Sequence, residues 1–113
     1  MPTLSTHVLD TSRGHPAAGV FLELHTAGGN DRKLVASAAT GPDGRVPRDA
    51  FGELPPGVYE LSFRAGGYFR DRGVALADPP FLDVVVIRLG MADGHYHVPL
   101  LLSQYGYSTY RGS

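Results

Sequence analysis

Three histidines, one arginine and a polar segment at the end of the sequence are the residues best suited to chemistry in this chain. Imidazole is the side chain that titrates nearest neutrality, so His7 and His97 are the natural candidates for proton transfer. From Leu4 to Leu9 the sequence alternates with period two, placing Leu4, Thr6 and Val8 on one face and Ser5, His7 and Leu9 on the other. A lone histidine on such a face is ordinarily a solvent-facing side chain. In the segment His95 to Ser103, Tyr96, Val98, Leu100 and Leu102 share a fully apolar face that must be core. His97 therefore looks out from the sheet beside Pro99, Leu101 and Ser103. Pro99 has no N–H, which predicts an edge strand or a position outside the ladder.

Histidines at i and i+2 on a strand can also chelate zinc, since their rings project from one side. His7 would have to be the third ligand, and no Asp, Glu or Cys is spaced to complete the set. No metal and no cofactor are expected. Gly41-Pro42-Asp43-Gly44 is a tight turn that presents Arg45 just beyond it, a permanent cation at a loop edge. The segment Tyr107 to Ser113 gathers a phenol, a guanidinium, a hydroxyl and a terminal carboxylate on what reads as a last strand.

The elements that must position these residues are short. Fifteen Gly and nine Pro punctuate runs of Val, Leu, Phe and Tyr, the pattern of an all-β domain with frequent turns. Further strands are expected over Gly19–His25, Lys33–Thr40, Val58–Arg64 and Tyr107–Arg111. Phe81–Leu89 is a nearly continuous apolar run that predicts a buried strand, and Asp93-Gly94 predicts a hairpin turn before His95. Between Ala65 and Asp78 the pattern is least strand-like, with room for one short helix. Seven or eight strands in a single domain, residues 1–113, predict a two-sheet sandwich of the immunoglobulin-like kind.

Composition removes several function classes. Ten Lys and Arg against eleven Asp and Glu leave a net charge of -1 with no basic run, so nucleic acid is not an expected partner. Cysteine is absent, which excludes disulfides, thiolate metal sites and cysteine nucleophiles. No stretch approaches the roughly 18 apolar residues of a membrane span, and the first residues lack a secretory pattern. The sequence ends in Arg-Gly-Ser without a Ser-Lys-Leu address, and a cytoplasmic location is the expectation.

The segment His95-Tyr96-His97-Val98-Pro99-Leu100, followed by Leu101 to Ser113 with its Tyr110-Arg111-Gly112-Ser113 ending, resembles the 5-hydroxyisourate hydrolase family, transthyretin-like enzymes of urate breakdown. Ser5-Thr6-His7-Val8-Leu9-Asp10, Arg13-Gly14, Pro16-Ala17, Thr40 to Arg45 and Val58 to Leu61 fall in register with the same family. One departure is Gln104, where the family usually has proline. The resemblance implies a transthyretin-like (prealbumin-like) sandwich and a homotetramer, a dimer of dimers with active sites in a central channel. It implies hydrolysis of 5-hydroxyisourate to 2-oxo-4-hydroxy-4-carboxy-5-ureidoimidazoline by histidine-activated water. His7, Arg45, His97 and Ser113 are the catalytic positions it points to, and Arg45, Ser108, Tyr110, Arg111 and Gly112 the substrate-binding ones. On this reading lengthening the C-terminus should harm activity more than stability. The alternative is a transthyretin-like carrier of a small aromatic ligand, which would need an apolar channel.

Overall fold

Alternating apolar residues pair into two four-stranded sheets that face each other across one core. The computed structural model describes residues 1–47 and 49–112. In chain order the elements are β1 (Thr3–Asp10), β2 (His15–Pro16), β3 (Phe21–Thr26), β4 (Leu34–Ala39), β5 (Gly57–Arg64), α1 (Ala65–Asp71), β6 (Val84–Met91), β7 (His95–Leu102) and β8 (Tyr107–Thr109). One sheet runs β2-β1-β7-β8 and the other β4-β3-β5-β6. Leu4, Val8, Leu100 and Leu102 of the first sheet meet Leu22, Leu24, Leu61 and Phe63 of the second, all buried. Each such side chain contributes about 1.5–3 kcal/mol through burial. A one-residue slip of either strand would turn that set to solvent, so the apolar alternation fixes the register.

β1 and β7 pair in parallel from Thr3 opposite His95 to Asp10 opposite Leu102. The buried Thr6 hydroxyl donates to the Val98 carbonyl at 2.6 Å and pins that register from the core side. An immunoglobulin-like arrangement did not require a parallel pair joining residues about ninety positions apart. At the far end of β1, the Asp10 carboxylate is fully buried. It accepts from the Ser12 hydroxyl and N–H, the Arg13 N–H and the Tyr68 hydroxyl.

That last bond explains the helix. Two of the seven residues of α1 are glycines, poor helix formers, and no side chain caps its start. Burial holds it instead: Ala65 and Phe69 are fully buried, and Gly66 lies so close to Asp83 that a Cβ would come within 2.6 Å of its carboxylate.

Two sequence expectations are corrected. The run Phe81–Leu89 becomes strand only from Val84 and alternates, with Val84 49% and Val86 43% exposed, because one face of β6 turns away from the core. Asp93-Gly94 turns the chain from one sheet to the other and makes no hairpin. Pro99 lies buried in β7, an inner strand, at a position outside the ladder to β8, the second of the two placements that its missing N–H allows. The cost falls on β8, whose ladder with β7 stops at Leu100 opposite Thr109. The Pro99 carbonyl instead accepts from the Thr109 hydroxyl at 2.6 Å, and pairing resumes in the same register where Gly112 meets His97. Among the described residues no helix is long and apolar enough to cross a membrane.

Candidate active site

The parallel register sets Ser5 opposite His97 and His7 opposite Pro99, all on the face turned away from the core. His7 and His97 reach each other diagonally across the two strands. Their Nδ1 and Nε2 atoms are 2.8 Å apart, with ring centroids separated by 4.9 Å and planes inclined at 21°. One ring therefore donates a proton and the other accepts it, and the two titrate as a pair. Among the described residues His7 Nε2 has no hydrogen-bond partner, which leaves it open to a ligand.

Arg45 joins the pair through a backbone device. Gly41 and Gly44 close the turn, the Gly44 N–H donating to the Gly41 carbonyl at 2.9 Å and the Gly41 N–H to the Arg45 carbonyl at 2.8 Å. The Val8 N–H then donates to the Gly44 carbonyl at 2.8 Å, and Arg45 bridges to His7. Only glycine fits at position 44. Its φ is +77°, and a Cβ there would stand 2.4 Å from the Val8 carbonyl oxygen. That close approach brings a permanent cation beside two titratable rings.

The electrostatic result is a site biased toward neutral imidazole. Burial, then the Arg45 charge, then His97 hold the His7 ring below its ordinary 6.5, with Asp43 pulling the other way. Burial, Arg45 and His95, in that order, lower His97. Both rings are thereby kept unprotonated at neutral pH, the form a general base requires.

The polar ending is split. Gly112 packs on the His97 ring, its N–H donating to the His97 carbonyl at 2.7 Å. A Cβ at that position would come within 2.8 Å of the ring. Ser108 pairs with Leu101 on His97's side of the sheet, and Tyr110 is 59% exposed. Arg111 turns the other way: its guanidinium stacks 3.8 Å above the Tyr96 ring and donates to the His95 carbonyl. A cleft of about 280 Å³ on that side is lined by Leu89, Tyr96, Tyr110 and Arg111 and does not include the histidine pair. Ser113 lies outside the described residues.

Sequence reasoning gave Thr3 and Ser5 no role in the site and weighed His95 only as a metal ligand. Ser5 bonds His97 Nδ1 at 2.7 Å and His95 Nε2 at 2.9 Å, and Thr3 bonds His95 Nδ1 at 2.7 Å. A readable signal existed. Thr3, Ser5 and His7 alternate on one strand as His95 and His97 do on the other, but their contact depends on a pairing no local pattern specifies. Among the described residues no group of three His, Asp or Glu side chains could hold a metal ion.

A model of the HIUase/Transthyretin family matches residues 4–112. The chain belongs to that family. It is 52% identical to the 5-hydroxyisourate hydrolase of Pseudomonas aeruginosa, over 100% of this chain and 93% of that protein. It is 54% identical to 5-hydroxyisourate hydrolase 2 of Rhizobium meliloti, over 97% and 95%. The solved 5-hydroxyisourate hydrolase of Klebsiella pneumoniae is similar with a TM-score of 0.85 and 35% identity over 100% of both chains. Sea bream transthyretin in complex with thyroxine reaches 0.87 at 27% identity, over 97% of this chain and 94% of that one. An (S)-allantoin synthase reaches 0.89 at 39% identity, and this chain spans 44% of its length. The HIUase/Transthyretin sandwich thus serves both hydrolases and a thyroxine-bound protein. Function has to be argued from the site.

Proposed function

We propose that this chain is a hydrolase of 5-hydroxyisourate, opening the ring to 2-oxo-4-hydroxy-4-carboxy-5-ureidoimidazoline, as the names of its nearly full-length relatives suggest. The observation that carries the reading is the 2.8 Å contact between His7 Nδ1 and His97 Nε2, on the open face of the sheet and beside Arg45. Opening a cyclic amide requires a base for water, a proton for the leaving nitrogen and a positive group where the oxyanion develops. The histidine pair takes the first two roles and Arg45 the third. Arg45 also suits a planar, anion-forming substrate, because its guanidinium offers a fork of donors and keeps its charge. Ser108, Tyr110 and Gly112 line the substrate's side of the strand end, and Ser113 orients water or a histidine. Arg111 supports them from behind, through Tyr96 and the His95 carbonyl.

The histidines stand on a broad, open face where Tyr110 is exposed, a poor enclosure for a small polar molecule. Covering that face with another copy would close it, which favours the homotetramer with the site in a shared channel. A cytoplasmic location accompanies this reading. A carrier of an apolar aromatic ligand would have to desolvate two imidazoles and an arginine, which weighs against it.

The test follows 5-hydroxyisourate, generated from urate by urate oxidase, through its ultraviolet decay with the parent protein and with His97→Asn. Accelerated decay by the parent and its loss in the variant are expected. A folded parent that leaves the spontaneous decay unchanged would overturn the hydrolase and bring the carrier forward.

A further inference from the structure

Four hydrogen bonds run in series along the face that carries the histidine pair. His7 Nδ1 meets His97 Nε2, His97 Nδ1 meets Ser5 Oγ, Ser5 Oγ meets His95 Nε2, and His95 Nδ1 meets Thr3 Oγ1, at 2.8, 2.7, 2.9 and 2.7 Å. The parallel register makes the series, since it sets Thr3 and Ser5 of β1 directly opposite His95 and His97 of β7. We propose that Ser5 and His95 are positioning residues that form a proton relay behind His97, fixing its tautomer and holding the proton taken from water at the exposed His95. The proposal rests on the hydrolytic reading of the pair.

Proton counting gives the relay its meaning. Each hydroxyl and each neutral imidazole has one proton to donate, so two arrangements of the series are consistent when the Ser5 hydroxyl donates within it. In one, Thr3 donates to His95, His95 to Ser5, Ser5 to His97 and His97 to His7, and His7 Nε2 carries a proton toward the ligand as an acid. In the other every bond is reversed, and His7 Nε2 presents a lone pair as a base. The direction of the Ser5 hydroxyl therefore decides which role His7 can play.

The chemical steps follow from the second arrangement. His7 Nε2 takes a proton from water as the water oxygen bonds the ring carbonyl carbon and the carbonyl electron pair moves onto its oxygen. The Nδ1 proton of His7 passes to His97 Nε2, the Nδ1 proton of His97 to Ser5 Oγ, and the Ser5 proton to His95 Nε2. His95 is then the imidazolium, and the rest of the series stands in the first arrangement. When the carbon–nitrogen bond breaks, its electron pair goes to the nitrogen, which takes the Nε2 proton of His7. The shifts then reverse and His95 is neutral again. The carbonyl carbon is left as a carboxylic acid, which ionises in water.

The surrounding charges favour this displacement of the cation. Arg45 opposes a positive charge on both His7 and His97, while Asp43 acts on His7 alone. His95 stands opposite Thr3, four residues along β1 from His7 or about 13 Å, and is exposed. Arg111 approaches it only at the backbone carbonyl.

The experiment compares the parent with Ser5→Ala, Ser5→Thr and His95→Gln, using imidazole-labelled protein for nitrogen NMR across pH alongside the hydrolysis assay. Ser5→Ala should change the tautomer balance of His97 and remove its hydrogen-bonded link to His95. It should also lower kcat roughly tenfold or more with little change in KM. Ser5→Thr should restore both, and His95→Gln should keep the His97 tautomer but lose turnover. Parent-like nitrogen shifts and kcat in Ser5→Ala would overturn the relay. If the parent fails to hydrolyse 5-hydroxyisourate, the proposed function falls, and the NMR comparison still upholds or refutes the relay by itself.

Discussion

The outward faces of the two sheets use polar side chains in opposite ways. On the β4-β3-β5-β6 sheet, Glu60 sits between Arg32 at 2.9 Å and Arg88 at 3.4 Å, and Glu23 meets Arg64 at 4.0 Å. The Arg32 hydrogen bond above all holds the Glu60 carboxyl below its ordinary range, so that face stays ionised and internally compensated. His25, opposite Glu60 on β3, shows an imidazole outside any series, its buried Nδ1 without a partner among the described residues. On the β2-β1-β7-β8 sheet His7 and His97 bond each other directly, and the Ser5 hydroxyl joins His97 to His95. Compensated ions cancel, whereas a series of neutral donors and acceptors keeps protons that can move.

The contrast can be broken most directly at the histidine pair. His97→Asn removes a titrating ring and should lower kcat/KM by about 10²–10⁴, measured from the decay of 5-hydroxyisourate. Gly112→Ala inserts a methyl group 2.8 Å from the His97 ring and should displace it, at a loss on the order of 10²-fold in the same assay.

Effects below these sharpen the comparison. Asp10→Asn leaves the site intact but weakens the buried bonds joining β1 to α1, and should cost about 1–3 kcal/mol in urea unfolding. Burial raises the Asp10 carboxyl, but its bonds from Ser12, Tyr68 and Arg13 outweigh this and hold it below its ordinary value. The stability it adds is therefore complete above about pH 4 and lost as pH falls through the lowered value, and the Asn variant should lack that acid-dependent part. The depressed histidines set a second pH effect. Activity that needs neutral rings should fall as pH drops through a midpoint below 6.5, and Arg45→Gln, removing one cause of the depression, should move that midpoint upward in the kcat/KM profile. Glu60→Gln should leave both turnover and unfolding temperature at the parent's values, since an exposed, screened ion pair contributes little.

Much of this arrangement was legible in local pattern. Period-two alternation separated Leu4 and Val8 from His7, and Val98 and Leu100 from His97, because burial of one face is the strongest constraint a strand obeys. The turn chemistry of Gly41 to Gly44 marked where Arg45 would emerge. What local pattern lacks is pairing. Phe81 to Leu89 looked buried because apolar composition does not distinguish a strand buried on both faces from one, like β6, that turns one face outward. Pro99 looked marginal because its tolerance in an inner strand depends on Thr109 supplying a hydroxyl where the ladder bond is lost. Arg111 read as part of one polar ending, yet its stacking on Tyr96 separates it from the histidines.

The parallel seam between β1 and β7 also has a kinetic meaning. His7 and His97 are 90 residues apart, and the parallel pairing that joins their strands forms only by closing most of the chain into a loop. Such distant pairings form late and slowly, after the local hairpins of the other sheet have had time to appear. Recovery of activity during refolding should therefore lag behind recovery of strand signal, and a chain stalled before the seam closes would have much of its secondary structure and no chemistry.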